Sequence, residues 1–180
     1  MPIPSFLPGC SVRSALCGCL LLAGCTGVPA GVTPVQPFDA SRYVGKWYEI
    51  ARLEHRFERG LDHVTADYGM RPDGGLTVRN RGYAPADGVW KESLGKAYFV
   101  GPSDQAHLKV SFFGPFYGAY VVFDLDRQDY RYALVSGPDK SYLWLLSRTP
   151  RLDPALQQRL VARAAAAGFD TSQLVYVKQD

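Results

Sequence analysis

Nucleophiles and titratable groups are the first place to look for chemistry, and this chain has few that are well placed. Its four cysteines, Cys10, Cys17, Cys19 and Cys25, fall in the first 25 of 180 residues, so no disulfide can staple the chain beyond them. The three histidines, His55, His63 and His107, make no metal-type pair. No Gly-x-Ser-x-Gly elbow, phosphate-binding loop or Cys–His arrangement is present after position 25. No catalytic residue, metal or cofactor is therefore expected. Aromatic side chains are abundant instead: 11 Tyr, 9 Phe and 3 Trp. Tyr combines apolar area with one hydroxyl, which suits an apolar ligand with a polar end. Composition alone fits an aromatic-lined cavity and a well-packed sandwich equally.

The elements that must position these rings are strands. Eighteen Gly and 13 Pro break the chain into short aromatic and β-branched runs. Eight runs read as strands: 44–53, 63–71, 76–83, 90–100, 108–113, 118–125, 130–136 and 141–147. Eight strands with short turns describe an antiparallel up-and-down β-barrel, whose closure removes sheet edges and leaves room for one small ligand. A two-sheet sandwich also satisfies the spacing. The pattern then changes period. Asp153 is an N-cap, Pro154 suits the first helical position, and Leu156, Leu160, Val161 and Ala164 form one stripe. With Gly168 as the stop, one C-terminal α-helix over 154–167 should pack outside the sheet. A last short strand reads at 174–177. The length suits one domain. The net charge of +3 is mild and interspersed, which argues against a nucleic-acid groove.

The N-terminus reads as an export signal. Arg13 is the only charge among the first 38 residues, and the apolar run 14–24 is shorter than the ~20 residues a membrane-spanning helix needs. Leu22-Ala23-Gly24-Cys25 resembles the lipobox of bacterial lipoproteins. The resemblance implies that residues 1–24 are removed as a signal peptide and that Cys25 carries the lipid. It implies three acyl chains, enough for stable attachment to the membrane. With Thr26 next, it implies the periplasmic side of the outer membrane. An ordinary secreted protein with an incidental cysteine is the alternative. Residues 25–37 hold Gly27, Pro29, Gly31, Pro34 and Pro37 and read as a flexible tether.

Gly45-Lys46-Trp47-Tyr48-Glu49 opens the first strand, and Ser147-Arg148-Thr149-Pro150 ends the eighth. Together they resemble the lipocalin signatures. The resemblance makes 38–180 a lipocalin domain, with 38–44 a short helix closing the barrel base. It makes Gly45, Trp47 and Arg148 the structural residues of that base, the guanidinium lying on the indole as a cation–π pair. Glu49 is a candidate buried acid whose expected role is bonding to backbone or Arg148. The middle signature is poor: Arg127-Gln128-Asp129-Tyr130 stands where many lipocalins have Thr-Asp-Tyr. Segments 47–52, 55–61, 109–118 and 142–144 look like those of bacterial outer-membrane lipocalins. Those relatives imply a fatty-acid or lysophospholipid ligand, membrane maintenance under stress and a possible homodimer.

With Arg148 at the base, alternation puts Leu146, Trp144 and Tyr142 on the inner face, with Trp144 the foremost ligand contact. Tyr98, Phe112 and Tyr120 are further lining candidates. Gly114-Pro115-Phe116-Tyr117-Gly118 is expected as a tight turn with buried rings, with a partner or membrane patch as alternatives. Two rival functions remain open at this level: a lipocalin-like enzyme of the isomerase or haem type, and a structural assembly lipoprotein with a filled barrel.

Overall fold

Residues 26–179 are described by a computed structural model. The candidate signal peptide and Cys25 lie outside the described residues. In chain order the elements are α1 (Ala40–Tyr43), β1 (Gly45–Leu53), β2 (Asp62–Met70), β3 (Leu76–Ala84), β4 (Val89–Phe99), β5 (His107–Ser111), β6 (Gly118–Leu125), β7 (Tyr132–Ser136), β8 (Leu143–Ser147), α2 (Pro154–Ala166) and β9 (Leu174–Tyr176). Each of β1 to β8 pairs antiparallel with its sequence neighbour, and β8 returns to β1, so eight strands close into a barrel. A single closed sheet disposes of the sandwich.

Strand alternation sorts the apolar residues into two clusters. Trp47, Tyr68, Val78, Ala97, Leu108, Val122, Val135 and Leu146 point inward and meet one another. Ile50, Ala51, Phe123, Leu134 and Leu145 point outward and are covered by Leu160 and Ala164 of α2. Asp153 caps α2 by accepting from the Leu156 amide at 3.0 Å, and Gly168, at φ 88°, ends it.

One irregularity in β1 changes what faces the interior. Glu49 is opposite Leu146, but Ala51 is opposite Leu145 and Arg52 opposite Trp144. The extra residue is a β-bulge, and beyond it the side-chain parity reverses. Arg52 turns inward, while Ala51 and Leu53 join the layer under α2. The bulge also bends β1 away from β2, whose pairing with it stops at Tyr48–Thr65. β9 takes over that edge through Ala51–Tyr176 to Leu53–Leu174. Beside it, the Gln179 amide donates to the carbonyls of Glu49 at 2.9 Å and Val64 at 2.8 Å, bridging the seam.

Residues 26–37 correct the expectation of a free tether, because they lie along the barrel. The Val35 amide donates to Val122 O at 2.8 Å, and Val35 O accepts from the Ala106 amide at 2.9 Å. Val32 and Val35 are buried. Thr26 O meets His107 Nε2 at 2.8 Å. Gly and Pro here serve a path that hugs the wall, and its apolar residues supply the burial that holds it there.

The closed end is tied by Arg148. Its guanidinium lies 4.0 Å above the Trp47 ring. It donates to the carbonyls of Arg42, Tyr43, Val44, Lys46 and Tyr130 at 2.9–3.2 Å. The poorly matched middle segment contributes here after all: Tyr130, at φ 55°, is buried, and its hydroxyl accepts from the Asp39 amide at 3.0 Å. A lysine cannot reproduce the planar fork. Arg148→Lys is expected to lower stability by ~2–3 kcal/mol in urea unfolding, whereas a loss under ~1 kcal/mol would show that the clamp is dispensable.

Candidate functional site

The interior has a polar floor, an aromatic and small-residue wall, and a charged upper end. Tyr43 of α1, Tyr68 of β2 and Tyr120 of β6 form the floor. Their hydroxyls meet at 2.7 Å (Tyr43–Tyr120) and 2.8 Å (Tyr68–Tyr120). Burial pushes the pKa of all three up, so they remain neutral donors and acceptors. The Tyr43 ring packs on Trp47, centroids 4.8 Å apart.

Above the floor, cross-strand rows on β2–β4 carry small side chains. Ala66 is opposite Asn80, Asn80 opposite Ser93, and Val78 opposite Gly95. Gly95 is required by its surroundings, since a Cβ there would come within 2.8 Å of the Phe112 ring. The other wall is large: Phe112, Tyr120, Trp144 and Leu146 all belong to the inner cluster. Phe112, Tyr120 and Trp144 are only half-buried although they point inward, so the space between the walls is open to solvent.

The remaining two candidates fall elsewhere. Tyr142 precedes β8 at the rim, where its ring stacks on His55 at 4.5 Å. Tyr98 is not a lining residue. Ala97 and Phe99 take the inward positions of β4, and Tyr98 faces outside, against Tyr117 at 6.4 Å and with its hydroxyl donating to Asp73 at 3.0 Å. The aromatic character of the run carried no information on which of its alternate residues points in.

Sequence reasoning singled out Glu49 as a buried acid but missed the rest of the charged end. Arg52, 1% exposed, donates to Glu49 Oε1 at 2.8 Å and to the Glu58 carbonyl at 2.8 Å. Glu49 therefore pairs with Arg52 and not with Arg148. Glu58 lies in the loop joining β1 to β2, and its carboxylate accepts from the Trp144 indole at 3.0 Å. His55 of the same loop sits 5.0 Å from the Trp144 ring. The loop is thus folded over the upper interior by its own buried acid. Arg52 Nε and His55 Nε2 are buried without a protein partner among the described residues. The signal for all this is the bulge, which leaves no mark in a single sequence.

Comparison with known proteins agrees with this geometry. Residues 38–179 match the lipocalin-like domain family. The chain is 57% identical over 160 residues to the outer membrane lipoprotein Blc of Vibrio cholerae, covering 89% of this chain and 94% of that one. It is 59% identical over 151 residues to the protein of the same name from Escherichia coli K12, covering 84% and 85%. Among solved structures, insecticyanin from the tobacco hornworm superposes with a TM-score of 0.67 at 22% identity, covering 86% and 87%. Barrel, base clamp and half-open aromatic interior define a ligand-binding up-and-down β-barrel. The chain belongs to the lipocalin family.

The charged cluster makes stability depend on pH. Burial, reinforced by Glu58, lifts the Glu49 pKa to about 8 against the pull of Arg52. Burial also lifts that of Glu58. Burial and Arg52 together lower His55 to about 4. Below its unfolded value of ~6.5, His55 costs stability as pH falls, because the unfolded chain takes a proton the folded one refuses. Above ~4.3 Glu49 acts in the opposite sense, since the folded chain keeps a proton the unfolded one has lost. The two oppose each other up to ~6.5, and from there to about 8 the Glu49 slope is no longer opposed by His55, the raised Glu58 acting in the same sense as Glu49. Thermal unfolding should show stability falling over this upper window, with Glu49 contributing up to ~1.4 kcal/mol per pH unit. Glu49→Gln should flatten the decline; a flat wild-type profile would refute the raised carboxyl.

Proposed function

We propose that this protein holds a small apolar ligand of the fatty-acid or lysophospholipid class at the bacterial outer membrane, in the service of membrane maintenance. The single observation that carries the reading is the pairing of a half-open aromatic interior with buried polar nitrogens that have no protein partner among the described residues at its upper end. An acyl chain would lie between the Phe112–Tyr120–Trp144–Leu146 wall and the small residues of β2–β4. Each buried methylene contributes about 0.8 kcal/mol. The head group would sit near Arg52, His55 and Tyr142, where Arg52 Nε and His55 Nε2 are buried without a partner among the described residues. Binding of this kind needs no turnover, and no residue is assigned a catalytic role.

The anchored location is supported by the Leu22-Ala23-Gly24-Cys25 sequence and by relatives described as outer membrane lipoproteins. Cys25 is the proposed lipidation site, after removal of residues 1–24.

Titration of a fluorescent fatty acid tests the pocket. Trp144→Ala deletes an inner-wall ring and frees the Glu58 carboxylate, so affinity should fall about tenfold or more. Affinity within about twofold of wild type would remove Trp144 from the site. Release of chemically altered lipid during the titration would instead favour an enzyme.

A further inference from the structure

The loop between β5 and β6 does not bury its rings, contrary to expectation. Phe113 is 80% exposed and Phe116 78%. Leu94, at 68%, is close by: β4 and β5 pair as Lys96–Ser111 and Ala97–Val110, and the same register continued places Leu94 opposite Phe113. All three lie beyond the last β4–β5 pair, at the tip of one wall. Scattered exposed apolar residues are ordinary, but a contiguous group of large ones marks a contact.

The wall leading to this tip has a consistent composition. Along the outer faces of β4 and β5 run Tyr98, Lys96 and Lys109, with Tyr117 beside them. Tyr98 packs on Tyr117, and Lys109 Nζ lies 5.1 Å over the Tyr117 ring. Among the described residues neither Lys96 nor Lys109 has a carboxylate partner, whereas the neighbouring Arg79 and Arg71 are paired with Glu92 and Asp73. Exposed Phe and Leu at the tip, with Tyr and Lys interleaved behind them along the wall, form a mixture of side chains that an acyl–headgroup boundary accepts.

At the other end of β5 the chain itself points to the same surface. Thr26 O is bonded to His107, the first residue of the strand. Cys25 is one peptide bond before Thr26. A lipid on Cys25 would therefore emerge beside the outer face of β5, with no slack to lift the barrel off the bilayer. His107 and Ser111 are ~14 Å apart at the rise of a strand. We infer that the outer wall of β4 and β5 is a membrane-docking face: the barrel lies along an anionic phospholipid bilayer, held by the acylated N-terminus at one end of β5 and by Phe113, Phe116 and Leu94 at the other. The inference rests on the proposed lipidation for its first attachment point and on the exposed tip for its second.

Depth-dependent quenching tests it on the full-length, processed lipoprotein. Phe113→Trp, Phe116→Trp and, as control, Gln158→Trp on the solvent side of α2 are each reconstituted in vesicles of phosphatidylethanolamine and phosphatidylglycerol with brominated acyl chains. Trp47, Trp90 and Trp144 give a constant background. A ring buried ~5–10 Å into the headgroup–acyl boundary should lose roughly half its added emission, while Trp at 158 should lose almost none. Equal quenching at all three positions overturns the inference. So does a blue-shifted emission at 113 or 116 without vesicles together with a doubled mass, which would give the face to a second copy of the chain. The mass of the N-terminal peptide reports lipidation separately. An unlipidated Cys25 would sink the anchored reading, and the quenching pattern would still decide the fate of the tip.

Discussion

The structure depends on one arginine doing two things at the closed end. A barrel sheet has no edges to protect, but it has two ends, and each must be stopped or left open. Arg148 stops one. Its face lies on Trp47 and its fork collects carbonyls from α1, from the start of β1 and from the turn before β7. Those carbonyls belong to chain segments that converge without a shared ladder, so only a multivalent donor can satisfy them together. Fixing α1 in this way fixes Tyr43, and Tyr43 fixes Tyr120 and Tyr68 through their hydroxyls. The floor is a consequence of the clamp.

The open end obeys a different logic. A closed sheet of regular strands would present an unbroken alternation, with Ala51 and Leu53 inward. The bulge in β1 instead turns Arg52 into the interior and sends those two residues out to α2. One extra residue thereby does three jobs. It seats the helix, opens a seam that β9 and Gln179 must cover, and creates the cation around which Glu49 and the loop bearing Glu58 are arranged.

This explains which parts were legible in the sequence. Strand runs and the capped helix were legible because periodicity, turn residues and N-caps act locally. The Trp47–Arg148 pair was legible through resemblance, since nothing local links residues 101 positions apart. Parity was not. Leu146 and Trp144 could be counted from Arg148 along an uninterrupted strand, but Tyr98 had no such reference, and Arg52 lay beyond a bulge that composition does not record. The segment 26–37 failed for another reason. Gly and Pro describe the backbone's freedom, whereas Val32 and Val35 decide whether that freedom is used, and burying them outweighs it.

A buried acid–arginine–acid cluster is poor material for stability, because desolvating its ionisable groups cancels most of their attraction, and a well-packed apolar core of the same volume would do as well. Its retention here makes sense in terms of position. Arg52 ties the loop between β1 and β2 by its Glu58 carbonyl, while the Glu58 carboxylate holds the Trp144 indole. The loop's conformation and the orientation of an inner-wall ring are therefore set by the same residues. Apolar contacts would allow many sliding arrangements of that loop; directional bonds to a buried fork allow few. What the cluster gives up in stability it returns as a defined geometry where a ligand's polar end must be met, directly above a wall that has only shape to offer.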